Sequence, residues 1–133
     1  MAELFQLQII TPERVFYKGD VTFVELKTTE GKVGIYKNHV PMTMLLSPGI
    51  LTIHNEQGER KAALHTGFVE VLQDKVSVLA EIAEWPEEID LNRAEEARIR
   101  AERRIKSEDS NSNLVQAEMA LRKALVRIEV AKK

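Results

Sequence analysis

In the first part of the chain, apolar and polar residues alternate at period two, the repeat of a half-buried strand. Phe5, Leu7 and Ile9 alternate with Gln6 and Gln8, and Thr11-Pro12 punctuates the run. A second run, Val21 to Thr28, sets Val24 and Leu26 on one face and Val21 and Phe23 on the other, and Glu30-Gly31 marks a turn after it. Ile50–His54 and Lys61–His65 flank Asn55-Glu-Gln-Gly58-Glu, which predicts a hairpin with a loop longer than two residues. Gly67–Leu72 and Val76–Ala80 flank Gln73-Asp74-Lys75 in the same manner. Short strands divided by turn signals at regular spacing predict a sandwich or a barrel.

The pattern changes at Pro86. All six glycines and all seven aromatic residues lie at or before Trp85, and Ala, Arg and Glu dominate the remainder of the chain. Turn formers giving way to helix formers predicts a boundary, with a β domain over 1–85 and a helical hairpin over 86–133. Asp90 is the expected N-cap of the first helix, which runs to about Lys106. Ser107 to Ser112 is polar and predicts the loop, and Asn113, with Gln116 three residues on, predicts the cap of the second helix. Leu114, Ala117, Leu121, Ala124, Ile128 and Ala131 form an a/d seam, matched on the first helix by Ala94, Ala97, Ala101 and Ile105. Alanine lets helices approach closely but buries little area, so this hairpin is weakly held. A marginal element beside a firm β domain is suited to switching.

Composition narrows the function. Of 133 residues, 44% are hydrophobic, enough for a core, and the net charge of -2 gives no argument for nucleic acid or an anionic membrane surface. Cysteine is absent, which removes disulfides, thiolate nucleophiles and cysteine metal sites. The alternating Met1–Ile10 reads as a strand and not as a signal peptide, and the apolar stretch Val40–Leu46 is far shorter than the ~20 residues of a membrane span. The expected protein is soluble and reaches a membrane only through a partner.

Candidate chemistry is sparse. His39, His54 and His65 lack the further ligands a metal site needs, so they read as structural, surface or, for His39 at its turn before Pro41, interface residues. Gly31-Lys-Val-Gly34 lacks the context of a phosphate loop, and no nucleophile has a visible partner. No catalytic residue is expected. Helical charges are nearly balanced, and pairs such as Glu96–Arg100 account for most of them as a solvated face. Arg93 and Arg100 share one stripe of the first helix, and Lys123 and Arg127 one stripe of the second. If those stripes face each other, four cations converge and an anion between them would relieve the repulsion.

Longer motifs carry a family resemblance. Glu30-Gly-Lys-Val-Gly-Ile-Tyr-Lys-Asn-His39-Val-Pro41, Thr66-Gly-Phe-Val-Glu-Val71, Asp74-Lys-Val-Ser-Val-Leu79 and Ile89-Asp-Leu-Asn-Arg-Ala94 resemble the epsilon subunits of bacterial F-type ATP synthases, in order and over essentially the whole chain. The resemblance implies an α+β protein, a ten-stranded β-sandwich followed by two antiparallel helices. It implies a rotor subunit docked on the gamma subunit and the ring of c subunits, with Glu30, Gly31, Lys32 and His39 in segments associated with those contacts. The helices would detach, extend toward the alpha and beta subunits and inhibit ATP hydrolysis, at the cytoplasmic face of the bacterial plasma membrane.

Ile89-Asp90-x-x-Arg93-Ala94 is similar to the ATP-binding motif of some members. It implies Glu84, Ile89 and Asp90 near the nucleoside and Arg93, Arg100, Lys123 and Arg127 near the phosphates, with ATP a regulatory ligand whose magnesium requirement stays open. Lys123 stands where ATP-binding relatives tend to have arginine, a point charge in place of a planar fork. Lys37-Asn38 replaces the usual Pro-Gly before His39, and asparagine tolerates the same left-handed backbone. Lys32 is basic where relatives often carry an acid. The rival class is a free-standing β-domain interaction module that recruits a partner through a short coiled-coil hairpin. A small enzyme using the helix pair as an anion pocket is a third.

Overall fold

The computed structural model describes residues 3–107 and 111–132, the side chains of 111–113 excepted. The chain divides into two compact units, Met1–Glu84 and Trp85–Lys133. In the first, the strands are β1 Phe5–Ile10, β2 Val15–Val21, β3 Phe23–Thr28, β4 Gly31–Ile35, β5 Met42–Leu46, β6 Gly49–Asn55, β7 Gly58–Leu64, β8 Gly67–Val71, β9 Lys75–Ala80 and β10 Ala83–Glu84. They form one ten-stranded sheet in the order β10-β7-β6-β3-β5-β8-β9-β1-β2, with β4 on the other edge of β3. All pairings are antiparallel except β1 with β9.

One strand turns this sheet into two layers. Phe23–Glu25 of β3 pair with β6, whereas Thr28 at its far end pairs with Leu46 of β5. That single bridge joins β10-β7-β6-β3-β4 to β5-β8-β9-β1-β2. Strand spacing alone leaves sandwich and barrel open; a continuous sheet folded at β3 is a sandwich near to closure. Leu7, Ile9, Val24, Leu26, Ile53 and Val78 are fully buried in it. Each such side chain contributes ~1.5–3 kcal/mol, so the alternating strands hold the unit firmly.

Two local expectations are corrected. Val21 and Phe23 do not share a strand: β2 ends at Val21, β3 begins at Phe23, and Thr22 makes the corner by donating its N–H and hydroxyl to the His54 carbonyl. The β6–β7 loop is only two residues, because Asn55 still pairs with Gly58. The Asn55 side chain accepts from the Gln57 N–H at 2.9 Å, and Gly58 takes a φ of 131°, so the reversal is tight. Asn38, as expected, is left-handed at φ 65°.

The second unit opens with a 3₁₀ turn at Pro86–Glu88, then α1 Leu91–Lys106 and α2 Asn111–Ala131. Asp90 caps α1, its carboxylate accepting from the Arg93 N–H at 3.2 Å. The second helix begins two residues before Asn113, so that residue lies in its first turn and is not its cap; of the expected loop, residues 111–112 are helical instead, and residues 108–110 lie outside the described residues. The helices pack against each other as a hairpin. Ala94, Ala101, Ala117 and Ala124 are buried, as the seam predicts, and so is Val130, which the seam omits. Leu114 of the predicted seam is exposed.

Candidate functional site

On the hairpin, charge divides into a satisfied and an open set. Arg98 donates to Glu95 at 3.0 Å and to Glu102 at 3.0 and 3.1 Å. The Glu95 hydrogen bond, followed by the Glu102 charge, raises its affinity for its proton. The expected Glu96–Arg100 pair is not formed among the described residues. Arg93 and Arg100 are exposed, seven residues apart on α1 and so ~10 Å apart along its axis. Lys123 and Arg127 on α2 are half-buried and each engaged with another group, so the four cations are not all uncompensated. Counting back along α1 from Lys106 and forward along α2 from Asn111, Arg93 is level with Lys123 and Arg127, and Arg100 stands nearer the joined ends of the helices.

The remaining nucleoside-side candidates flank the boundary between units. Ile89 ends the 3₁₀ turn, its N–H donating to the Pro86 carbonyl, and Asp90 and Ala94 come next at the start of α1. Glu84 ends the first unit, opposite Ala63 in the β7–β10 ladder. Its Oε1 lies 3.3 Å from Nε2 of His65.

The contact candidates occupy two turns of the sandwich. Glu30 donates its N–H to the Thr28 hydroxyl, which itself donates to the Gly31 carbonyl, while Gly31 holds a φ of 121°. Lys32, itself exposed, meets the half-buried Glu25 at 3.8 Å. His39 is tied to its own turn, Nδ1 lying 3.0 Å from the Val40 carbonyl, beside exposed Tyr36 and Val40. Asn38 donates to the Gln73 carbonyl and so joins this turn to the β8–β9 loop.

A further surface was not anticipated. Strand registers align Val15, Ile10, Leu79, Phe68 and Leu45 in one row across β2, β1, β9, β8 and β5. Val15 is 56%, Leu79 40%, Phe68 41% and Leu45 62% exposed, so the row points outward. The next outward row, Lys18, Gln8, Ser77, Glu70 and Thr43, is polar. Beside the apolar row lies a groove of about 390 Å³ lined by Ile10, Thr11, Pro12, Thr66–Phe68 and Leu79–Glu81. The signal is present in the sequence as strands that lose their alternation, Met44-Leu45-Leu46 and Val78-Leu79-Ala80. An apolar outer row rimmed by polar residues is the form of a protein-docking surface.

No helix among the described residues is long and apolar enough to cross a membrane, and no group of histidines and carboxylates there could hold a metal ion. Residues 4–86 match the family described as ATP synthase, Delta/Epsilon chain, beta-sandwich domain, and residues 87–132 match its long alpha-helix domain. An ATP synthase epsilon chain of Caldanaerobacter subterraneus is 41% identical over 100% of this chain and 97% of its own. One of Shouchella clausii is 44% identical over 96% and 94%. A chain of the Euglena gracilis mitochondrial ATP synthase superposes with a TM-score of 0.85 at 25% identity, covering 98% of this chain and 82% of that one. A chain from the central stalk and c-ring of the Tetrahymena thermophila enzyme shares the fold at a TM-score of 0.68 and 15% identity, over 98% of both. Matched in both units, in order and along its whole length, the chain belongs to the delta/epsilon chain family of the ATP synthases, alongside bacterial epsilon chains.

Proposed function

We propose that the chain is a non-catalytic rotor subunit on the central stalk of a bacterial F-type ATP synthase, at the cytoplasmic face of the plasma membrane, and that ATP governs its helical hairpin. The observation that carries the stalk role is the match of both units to epsilon chains of nearly the same length. The row Val15–Ile10–Leu79–Phe68–Leu45 is the surface for the gamma subunit. The turns holding Glu30, Gly31, Lys32 and His39 meet the c-ring.

Arg93, Arg100, Lys123 and Arg127 bind the triphosphate, with Glu84, Ile89, Asp90 and Ala94 on the nucleoside side. Support comes from Arg93 standing level with two cations of α2, with Arg93 and Arg100 both open to solvent. A ligand at a hundred times its dissociation constant adds ~2.7 kcal/mol to the state that binds it. Each buried alanine methyl of the seam contributes ~0.8 kcal/mol, so that increment is large for this hairpin. With ATP scarce, the hairpin opens, reaches the alpha and beta subunits and stops hydrolysis. ATP is a regulatory ligand that is bound and not turned over.

Calorimetric titration of the full chain with ATP tests the site. Arg93→Ala is expected to weaken binding by about ten- to a hundredfold, the value of a charge-assisted hydrogen bond. Absence of heat with the unaltered chain, or equal affinity in the variant, refutes it. Co-purification tests the docking row separately. Phe68→Asp places a carboxylate in its middle and is expected to abolish recovery with the gamma subunit while leaving ATP affinity unchanged; full recovery refutes the assignment.

A further inference from the structure

We propose that Phe23 is a positioning residue for the turn that carries His39 and Val40: its ring lies over the bare backbone of Gly34, stacks on Tyr36 and fixes where that turn leaves the sheet. This role presupposes the reading above, that the turn meets the c-ring.

A row of three rings crosses β6, β3 and β4 on the outer face of the sandwich. His54 and Phe23 are register partners in the β3–β6 ladder, with ring centroids 5.2 Å apart and planes tilted by 44°. Val24 pairs with Ile35 in the β3–β4 ladder, so Tyr36 follows opposite Phe23 at the end of β4. The Phe23 and Tyr36 rings are stacked, 4.3 Å between centroids and 28° between planes. Val24 and Ile35 point the other way and are fully buried.

Gly34 completes the arrangement. A glycine inside a strand weakens it, and often marks a close approach to the backbone. Gly34 has no positive φ, unlike Gly31, Gly58 and Gly67, so its backbone does not demand a glycine. What it supplies is space: a Cβ there would stand 2.7 Å from two carbons of the Phe23 ring. Phe23 reaches diagonally over β4 and covers the gap, as an aromatic residue does for glycine on a paired strand. The ring is half-buried and Tyr36 is 64% exposed, so the pair adds little to the core. Its effect falls on the segment after Tyr36.

The Tyr36 carbonyl accepts from the His39 N–H at 3.3 Å, which closes the turn on the residue that Phe23 holds. At its tip, the Asn38 N–H donates to the Gln73 carbonyl at 3.0 Å. One tie is a pivot, whereas two fix an orientation. With the stack in place, His39 and the exposed Val40 are presented in one direction. Without it the turn swings about Asn38, and a partner must order it on binding.

The experiment measures binding of the detergent-solubilised c-ring to the complex of the full chain with the gamma subunit. Phe23→Leu keeps an apolar side chain but removes the stack. It is expected to weaken ring binding about three- to tenfold while recovery with the gamma subunit stays unchanged. Phe23→Tyr, which keeps the ring, binds as the unaltered chain does. Gly34→Ala displaces the ring and costs as much as Phe23→Leu, and the double variant costs no more than either, since both act through one stack. Val40→Asp, outside the stack, tests the contact itself. Unchanged ring binding in Phe23→Leu, with Val40→Asp still weakening it, overturns the inference and leaves the ring contact standing. Unchanged binding in both overturns the two together. Loss of the gamma subunit from Phe23→Leu also overturns the inference, because it reports damage to the whole sandwich. Proton NMR of the unaltered chain decides the matter even if the variants do not fold. The Tyr36 ring protons are expected upfield of their ordinary positions, shifted by the Phe23 ring; ordinary positions overturn the proposal.

Discussion

Gly67→Ala is expected to lower the stability of the sandwich by about 3 kcal/mol or more, which is a large share of the ~5–15 kcal/mol that holds a typical domain. Two effects add. Gly67 opens β8 with a φ of 153°, a backbone state that L side chains rarely adopt. A Cβ there would also collide with the Leu79 carbonyl oxygen and stand 2.8 Å from the Ala80 Cα. Both atoms belong to the backbone of β9, which is hydrogen-bonded to β8 on one side and β1 on the other, so neither can yield. Gly31→Ala separates the two effects. Gly31 has a φ of 121° but nothing within 4 Å of an added Cβ, so only the backbone strain of ~1–2 kcal/mol applies. Denaturant midpoints of the two variants measure the difference, and equal losses would refute the collision.

That contrast also marks what the sequence makes legible. Turn signals flanking apolar runs identify β6, β7, β8 and β9, and period-two alternation identifies β1 and β3, because each buries every second residue. It does not identify β2, β4 or β5. Val15–Val21 carries Lys18-Gly19-Asp20 in its middle, and Gly31–Ile35 carries two glycines, so both lack a clean pattern. They are strands because β1 and β3 offer them edges, a tertiary cause that local propensity does not contain. Met42–Leu46 fails the other way, since Leu45 is apolar on the outer face. The feature that hides β5 from a periodicity argument is the one that makes it part of the docking row.

The candidate site divides along the same line. Asp90, Arg93, Arg100, Lys123 and Arg127 are legible because helix spacing places them on defined stripes, and the Asp90 cap is formed as the residue type demands. The engagement of Lys123 and Arg127 with other groups is not legible, because it depends on where neighbouring side chains reach. Nor is the pairing of His65 with Glu84. Those residues are 19 apart, and only the β7–β10 ladder brings them together. A lone histidine beside Thr66-Gly67 gives no sign of it.

Ala124→Glu is expected to open the hairpin while leaving the sandwich folded. Ala124 is 1% exposed, in a seam with Ala94, Ala101 and Ala117. Those four methyl groups contribute about 3 kcal/mol together, whereas a carboxylate forced into their place without partners costs roughly 2–7 kcal/mol and has no room for its added atoms. The seam loses that comparison. Once apart, α1 and α2, with 16 and 21 residues, are near the length at which isolated helices are marginal in water. Helical circular dichroism should therefore fall, and hydrogen exchange at α1 and α2 amides should quicken by a hundredfold or more, ~2.7 kcal/mol. Because residues 1–84 form a compact unit of their own, exchange at core amides such as those of Leu7, Ile9 and Val78 should not change. Leu125→Glu adds the same charge one residue away, at a position 46% exposed, and should leave both units as they are. Unaltered α1 protection in Ala124→Glu would mean that the alanine seam does not hold the helices, and the ATP-governed hairpin would lose its physical basis.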